Sequence, residues 1–275
     1  FLENIRQVAK VIDGDAWQKL AQRVELFPEQ IQNNLGHIFL LFVSGVASGM
    51  ASWNVLNTLA FRKKEQLSAE EKQKRRDLIM QVTRGMPNNP TTEMDLTLWQ
   101  MAKRIRQDAE ASRLFHEQSA AQCAAQYQAE TLPPVAMEAV RTFLMRYGGR
   151  GFGEIDLGRT RWADDPTHVF EMLSSFLRIE DENSAPDVIF ARSAQSAEAA
   201  VTKITDLVRL ERGGWWRSHL VRFFAGRARL LMGLRESPKF FAVRMISVIQ
   251  PALLQSGREL MPMGELDQPD DLFFP

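Results

Sequence analysis

The chain has 275 residues, and its 34 basic and 34 acidic side chains give a formal net charge of zero at pH 7. This balance gives no reason to expect nucleic acid or an anionic membrane as a partner, and the longest apolar run, residues 38–43, is too short to span a bilayer. The single cysteine, Cys123, excludes an internal disulfide and is typical of a reducing compartment, so we expect a cytoplasmic protein.

Apolar residues recur at helical spacing along the first half of the chain. Ser68 and Glu71 have the spacing of a capping box, which predicts that a helix begins there. Glycine, proline and asparagine predict a loop over residues 85–92. The other helices predicted here cover residues 3–26, residues 31–61, a segment with Met94, Leu98, Met101 and Ile105 on one face, residues 109–130, and a segment from the prolines at 133 and 134 to Arg146.

The predicted helix over residues 31–61 contains a cluster of small residues. Small side chains allow two helices to pack closely, and they also leave room for a ligand. Glycine inside a helix costs about 1 kcal/mol relative to alanine, so tertiary contacts must compensate for it. Both interpretations stay open for this cluster, which consists of Ser44, Gly45, Ala47, Ser48, Gly49, Ala51 and Ser52.

Residues 147–166 form the most unusual stretch of the chain, which we call the glycine loop. It contains five glycines and seven charged residues between two predicted helices. Glycine disfavours a helix and permits tight turns or a close approach of the backbone to another group. The same composition would also suit an exposed turn whose charges are screened by solvent.

The second half of the chain continues the helical pattern. The predicted helices cover residues 169–177, 193–210 and 215–234 and a last segment from Pro238 to Gly257, with a polar loop over residues 178–186. Residues 155–157 and 187–190 could form short strands.

We therefore predict a mainly α fold: a multi-helix domain with one long loop rich in glycine, arginine and acidic residues, and at most short β segments. Because the chain begins at Phe1 and ends shortly after a recognisable motif, we expect a single domain, residues 1–275, excised from a longer protein. A subdivision near residues 131–134 is an alternative.

The predicted helix over residues 215–235 has an apolar arc of leucine and phenylalanine, and Arg227 and Arg235 fall within it. A buried guanidinium stays charged and needs partners, and Glu154 and Asp156 of the glycine loop are candidates. These four residues would form an internal ion-pair network that anchors the loop, or a network that also receives a substrate phosphate. Arg222 and Arg229 lie opposite the arc and are predicted to be solvated.

No pattern for metal or nucleophilic chemistry is visible. The four histidines are scattered, and none lies at metal-ligand spacing with cysteine or acidic partners. Cys123 lies in an alanine-rich segment without an obvious base, which favours an inert thiol. The sequence has no P-loop and no Gly-x-Ser-x-Gly motif. We predict no metal site and no cofactor in this chain.

Four stretches carry a resemblance to a known family. The glycine loop reads Tyr-Gly-x-Arg-Gly-x-Gly-Glu-Ile-Asp-Leu, followed by Arg-Trp-x-x-Asp-Pro. This pattern resembles the signature between the two catalytic modules of phosphoenolpyruvate synthase-like dikinases, and within that group the rifampin phosphotransferases are most similar. The other stretches resemble the same branch in the same order; they are residues 88–96, 235–239 and 269–274.

The resemblance implies a division of labour between domains. In such enzymes an ATP-grasp domain phosphorylates a histidine on a swivelling domain, and that histidine delivers the phosphoryl group to a substrate. This chain would be the helical domain that binds a small-molecule acceptor, and the other two domains of the same polypeptide would be its partners. ATP and magnesium would bind to a domain missing here, so the isolated chain would be inactive. A non-catalytic scaffold and a dikinase-like condensing enzyme are the alternatives.

The resemblance also implies roles for individual residues. Arg161 is the strongest candidate for catalysis, because basic residues near the Arg-Trp pair are implicated in transfer in the family. The family has a lysine four residues after this arginine, where this chain has Asp165. The candidates for binding the acceptor are Trp53, Met86, Met94 and Arg150.

Overall fold

The computed structural model describes residues 40, 42–62, 65 and 67–273, with the side chains of residues 42 and 43 excepted. The helix predicted over residues 3–26 therefore lies outside the described residues. Within them the structure has no strand, which confirms the mainly α prediction. The prediction that residues 155–157 and 187–190 could form short strands is wrong, because residues 187–190 lie in a helix and residues 155–157 have turn or irregular conformation.

The α-helices are labelled in chain order. A π-helical segment, Phe42–Ala47, leads into the first of them, and short 3₁₀ turns follow several of the later ones. The helices are α1 (Ser48–Ala60), α2 (Ala69–Val82), α3 (Pro90–Gln107), α4 (Ala109–Glu117), α5 (Ala120–Gln128), α6 (Pro134–Tyr147), α7 (Thr167–Leu177), α8 (Pro186–Arg209), α9 (Gly214–Met232) and α10 (Ser237–Leu260).

Capping boxes mark where two of these helices begin. The predicted capping box at α2 is present: Ser68 Oγ accepts a hydrogen bond from the Glu71 amide at 3.1 Å, and Glu71 accepts one from the Ser68 amide at 2.8 Å. A second capping box, between Ser119 and Gln122, starts α5. The prediction of one helix over residues 109–130 was wrong, because this cap interrupts it within an alanine-rich sequence.

The chain divides into two compact units. Unit 1 contains Arg104–Ser174 and the segment from Lys239 onward, and unit 2 contains Leu40–Lys103 and Ser175–Pro238. Residues 131–134, where the sequence left a subdivision open, lie inside unit 1. None of the described helices is long and apolar enough to cross a membrane.

The core of unit 2 is built from α1, α2, α8 and α9, with buried residues such as Leu56, Ile79 and Ile204. Helices α1 and α9 approach closely at Gly49. A Cβ atom on this residue would lie 2.9 Å from the Met232 amide nitrogen. No side chain fits at that distance. Of the two interpretations of the small-residue cluster, close helix packing is the one realised at this position.

The buried face of α9 differs from the predicted one. Its inward side consists of small residues and two arginines, whereas Phe223 is 57% exposed and Leu230 is 45% exposed. Arg227 and Arg235 are exposed, so their predicted burial was wrong. The helices pack too closely for large side chains, and small ones therefore occupy the contact. The inward residues are Gly214, Arg217, Ser218, Val221, Ala225, Ala228 and Arg229.

Three arginines in unit 2 are buried and bound. Arg229, predicted to be solvated, donates hydrogen bonds to the carbonyl oxygens of Val82 at 2.6 Å and Arg84 at 2.9 Å. Arg75 and Arg217 both pair with Glu211, and the Arg75 contact is 2.6 Å long. One carboxylate therefore compensates two buried guanidinium groups.

Replacement of Glu211 by glutamine should destabilise the protein, because it leaves two buried positive charges without a counter-ion. Loss of one partner of a buried ion pair typically costs about 3–5 kcal/mol. Chemical denaturation of the Glu211→Gln variant should therefore show a free energy of unfolding lower by that amount.

The matched control is Glu130→Gln, since Glu130 is 77% exposed in its pair with Arg141. Exposed pairs contribute about 0–1 kcal/mol, so this change should have little effect. Equal losses in the two variants would contradict the role given to the buried triad.

Candidate functional site

The glycine loop joins α6 to α7 within unit 1 and is folded back on itself. The Trp162 amide donates to the Arg150 carbonyl at 2.8 Å, so the two ends of the loop run side by side. A Cβ atom on Gly151 would lie 2.6 Å from the Thr160 carbonyl oxygen, and Gly153 has a φ of +69°. Only glycine satisfies both the close approach and the left-handed conformation without strain.

Arg161 holds the loop together from inside. Its side chain is buried, and the residue is 3% exposed. The guanidinium donates to the carbonyl oxygens of Glu154 at 2.5 Å and Asp156 at 2.7 Å, and to the side chain of Gln250 at 2.8 Å. Burial lowers the pKa of Arg161, while the nearby carboxylates of Glu154, Asp156 and Asp164 act to raise it. Each of its three nitrogen atoms is thus engaged.

Gln250 completes this arrangement from α10. Its side-chain amide donates to the carbonyl oxygens of Leu157 at 2.6 Å and Arg159 at 3.0 Å. Together with Arg161 it binds four carbonyl groups of the loop. Gln250 was not predicted, although a glutamine on the buried stripe that contains Val243, Leu253 and Leu260 is a signal for such a role.

The carboxylate of Glu154 forms ion pairs with two cations of unit 1, Arg150 and Lys239. Arg150 Nε is 3.1 Å from one carboxylate oxygen, and Lys239 Nζ is 2.8 Å from the other. Burial alone would raise the pKa of Glu154, but the hydrogen bonds and charges of these two residues outweigh it and leave the pKa below its usual value. Lys239 was missed, because its distance from the loop in sequence is large.

These residues border an open cleft of about 610 Å³ in unit 1. Phe152 is 90% exposed at its edge, and the Arg150 guanidinium lies 5.9 Å from the centre of the Trp162 ring. Basic, acidic and aromatic side chains therefore face the same space. We call this space the loop cleft; Arg150, Phe152, Glu154, Ile155, Asp156, Trp162 and Lys239 are among the residues that line it.

The predicted site residues separate into two groups. Arg150 lines the loop cleft, as a binding residue should, whereas Arg161 is occupied by carbonyl groups; its catalytic role stays a prediction. Glu154 pairs with Arg150 and Lys239 instead of the predicted Arg227 or Arg235.

Other charged residues of the predicted network have local partners. Asp156 lies 3.6 Å from Arg159, and Arg235 pairs with its neighbour Glu236 at 3.1 Å. The prediction of Arg235 as a loop anchor rested on its burial, and an exposed arginine does not need such a partner.

Asp165, at the position for which the motif resemblance implied a lysine, accepts hydrogen bonds at the start of α7. Its carboxylate accepts hydrogen bonds from the amide of Thr167 at 3.0 Å and from the Thr167 hydroxyl at 2.6 Å. These hydrogen bonds lower the pKa of Asp165. A carboxylate near the first turn of a helix is also favoured by the helix dipole.

Unit 2 contains a second cleft, of about 470 Å³, between the start of α3 and the start of α8. Asn89 shapes its rim, since its side-chain oxygen accepts hydrogen bonds from the amides of Thr91 and Thr92. Leu96, Phe176, Ile189 and Phe190 provide apolar walls. We call this space the α3–α8 cleft.

The residues predicted to bind the acceptor in unit 2 have different positions. Met86 lines the α3–α8 cleft. Met94 is buried in α3, and Trp53 packs against the core of unit 2. The wall residues of α8 were not predicted, because the sequence pattern indicated a loop up to residue 186 and a helix only from residue 193.

In the described part of the chain, no three or more histidine, cysteine, aspartate or glutamate side chains come together in a group that could bind a metal ion. Cys123 is buried, and burial raises the pKa of its thiol. A raised pKa disfavours the thiolate and therefore the nucleophilic form.

Comparison with known proteins agrees with the resemblance seen in the motifs. Residues 41–236 match the family described as the rifampicin phosphotransferase fourth domain. The chain belongs to this family. The matched range contains nearly all of unit 2 and the Arg104–Ser174 part of unit 1, so both clefts lie largely within it.

Curated relatives carry the same name. The chain is 26% identical over 196 residues to the rifampicin phosphotransferase of Bacillus subtilis (strain 168), with 70% of this chain and 22% of the relative covered. It is 25% identical over 193 residues to the enzyme of Streptomyces sviceus, with the same coverage of 70% and 22%. The chain thus spans about a fifth of the length of the curated relatives it matches.

Removal of the Arg161 side chain should destabilise unit 1, because several buried carbonyl groups would lose their donor. Each unsatisfied buried group costs about 1–3 kcal/mol, so Arg161→Ala should lower the free energy of unfolding by about 3 kcal/mol. Thermal or chemical denaturation of the chain measures this loss.

Arg159→Ala is the matched control, since Arg159 belongs to the same loop and its side chain is 59% exposed. Its removal should change stability by less than about 1 kcal/mol. An Arg161→Ala variant as stable as the control would show that the loop does not depend on this guanidinium.

Proposed function

We propose that this chain is the acceptor-binding domain of an ATP-dependent phosphotransferase. The enzyme would move a phosphoryl group from ATP, through a phosphohistidine on another domain, to a hydroxyl group of a small molecule. Family membership supports this assignment, and so does the short share of the curated relatives that the chain covers. Rifampicin is the first acceptor to test, because the relatives are named for it.

The α3–α8 cleft is the proposed acceptor site, and its lining is the observation that carries the proposal. Its volume of about 470 Å³ falls within the range of small-molecule sites. Apolar walls from Phe176, Ile189 and Phe190 are combined with hydroxyl groups of Thr83 and Ser193. Apolar surface would supply affinity, and the few polar groups would orient a hydroxyl-bearing ligand.

The chemistry of such a transfer needs positive charge more than it needs a nucleophile. The phosphorus–nitrogen bond of the phosphohistidine breaks, a phosphorus–oxygen bond to the acceptor forms, and the proton of the acceptor hydroxyl passes to the released imidazole nitrogen, directly or through solvent. The protein contributes by positioning and by stabilising the charge on the phosphoryl oxygens. A domain without a candidate nucleophile is compatible with this role.

ATP and magnesium are proposed to bind to a different domain of the same polypeptide, together with the phosphohistidine. The sequence has no P-loop, and the described residues assemble no cluster of carboxylates that would suit a metal ion. No step is therefore assigned to ATP or magnesium in this chain. The acceptor, the ATP-grasp domain and the phosphohistidine domain are its proposed partners.

A non-catalytic scaffold is the second candidate, and the position of Arg161 favours it. The guanidinium expected to contact a phosphoryl group is occupied by carbonyl groups of its own loop. In this view the helices would space two catalytic modules, and the α3–α8 cleft would bind no acceptor.

Titration of the 275-residue chain with rifampicin tests whether the α3–α8 cleft binds this acceptor. Calorimetry should show saturable binding to the unmodified chain. Ile189→Asp places a charge on the apolar wall of the cleft, and desolvation of that charge by the ligand should weaken binding about tenfold or more. Ile189 is 49% exposed, so the fold should tolerate the change.

Val188→Asp is the control, because Val188 is the neighbouring residue, is 37% exposed and does not line the cleft. It should bind rifampicin like the unmodified chain. An absence of binding would remove rifampicin as the acceptor, and equal binding by both variants would remove the α3–α8 cleft as the site.

A further inference from the structure

We infer that the loop cleft of unit 1 binds the phosphate group of an organic phosphate, with Lys239 and Arg150 as its cations. Its use in phosphoryl transfer rests on the proposed function, but binding of a phosphate does not. The ligand class follows from three kinds of group that meet in this cleft: two cations, free backbone amides and two aromatic rings, of which Phe152 is exposed and Trp162 is partly buried.

The charges in the cleft favour an anion. Arg150 and Lys239 both contact the carboxylate of Glu154, and these three side chains together carry two positive charges and one negative charge. Asp156 also lines the cleft, and its carboxylate pairs with Arg159. The two side chains of that second pair are 47% and 59% exposed, so solvent screens them more than it screens Glu154.

Lys239 has unused hydrogen-bonding capacity. An ammonium group has three N–H donors, and in the described part of the chain Lys239 donates to Glu154 alone. The side chain is 51% exposed, so its remaining donors can reach a ligand in the cleft. Phosphate oxygens are strong acceptors, and charge-assisted hydrogen bonds to them are stronger than neutral ones.

The backbone of the loop offers further donors. The amides of Gly151, Phe152 and Gly153 have no hydrogen-bond acceptor among the residues that the structure describes. Successive amides next to a left-handed residue form concave anion sites, and Gly153 has that conformation. Glycine also leaves the approach to the backbone open.

The site is held in shape before any ligand arrives. Arg161 binds the carbonyl group of Glu154 at 2.5 Å and so fixes the residue whose side chain positions both cations. Phe152 and Trp162 line the same cleft. A phosphate ester with an aromatic or apolar group would contact these rings, whereas inorganic phosphate would use the polar part alone.

Phenyl phosphate is the probe, and calorimetry at low ionic strength with the 275-residue chain is the measurement. The unmodified chain should bind it saturably and should not bind phenol, which lacks the phosphate. Lys239→Met keeps the aliphatic stem and removes the charge, and it should weaken binding about tenfold, the effect of one charge-assisted hydrogen bond. Lys239→Arg keeps the charge and should retain binding within about threefold.

Lys103→Met is the matched control. Lys103 is also about half exposed and also lies 2.8 Å from a carboxylate, that of Asp187, but it does not line the loop cleft. Its removal should leave phenyl phosphate binding unchanged. Inorganic phosphate should compete for the site in the unmodified chain, a test that needs no variant.

Three results would overturn the inference: no saturable binding of phenyl phosphate, equal binding by Lys239→Met, or no competition by inorganic phosphate. The first would leave Arg150, Glu154 and Lys239 as a structural ion-pair group. The rifampicin titration depends on residues of unit 2, so failure of the phosphate site and failure of the acceptor site are told apart by separate measurements.

Discussion

The hydrogen bonds that Arg161 and Gln250 make to the backbone of the glycine loop are the constraint on which the candidate phosphate site depends. Glycine gives the loop its tight turns but increases the conformational entropy lost when the loop is ordered. Two buried side chains offset that loss by binding the carbonyl groups of residues 154, 156, 157 and 159. The shape of the loop therefore comes from its contact with α10 and not from local propensity alone.

The cationic residues of the chain have different roles according to whether they are buried or reach the surface. Arginines that are buried, such as Arg161 and Arg229, donate to carbonyl groups and hold loops in place. Arg150 and Lys239 reach the surface of the loop cleft and carry charge that a ligand can use. A buried guanidinium is removed from water and must therefore donate its hydrogen bonds to acceptors of the protein itself. A partly exposed cation can donate to a ligand as well.

Local signals in the sequence predicted local features well. The capping box at Ser68, the glycine loop and the mainly α class are all confirmed, because caps and glycine act within a few residues. The prediction of the inward face of α9 was wrong. Periodicity identifies two faces of a helix but does not show how closely the neighbouring helices approach. Small residues and two arginines line the contact, whereas Phe223 and Leu230 are exposed. The pairing of Lys239 with Glu154 could not be predicted, because it joins residues far apart in sequence.

A double-mutant cycle between Arg161 and Gln250 tests the central claim most directly. The free energy of unfolding is measured for Arg161→Ala, Gln250→Ala and the double variant. If the two side chains hold the loop as one unit, the losses should be non-additive, with a coupling energy above about 1 kcal/mol. Losses that add within about 0.5 kcal/mol would show that the residues act independently and would contradict this account.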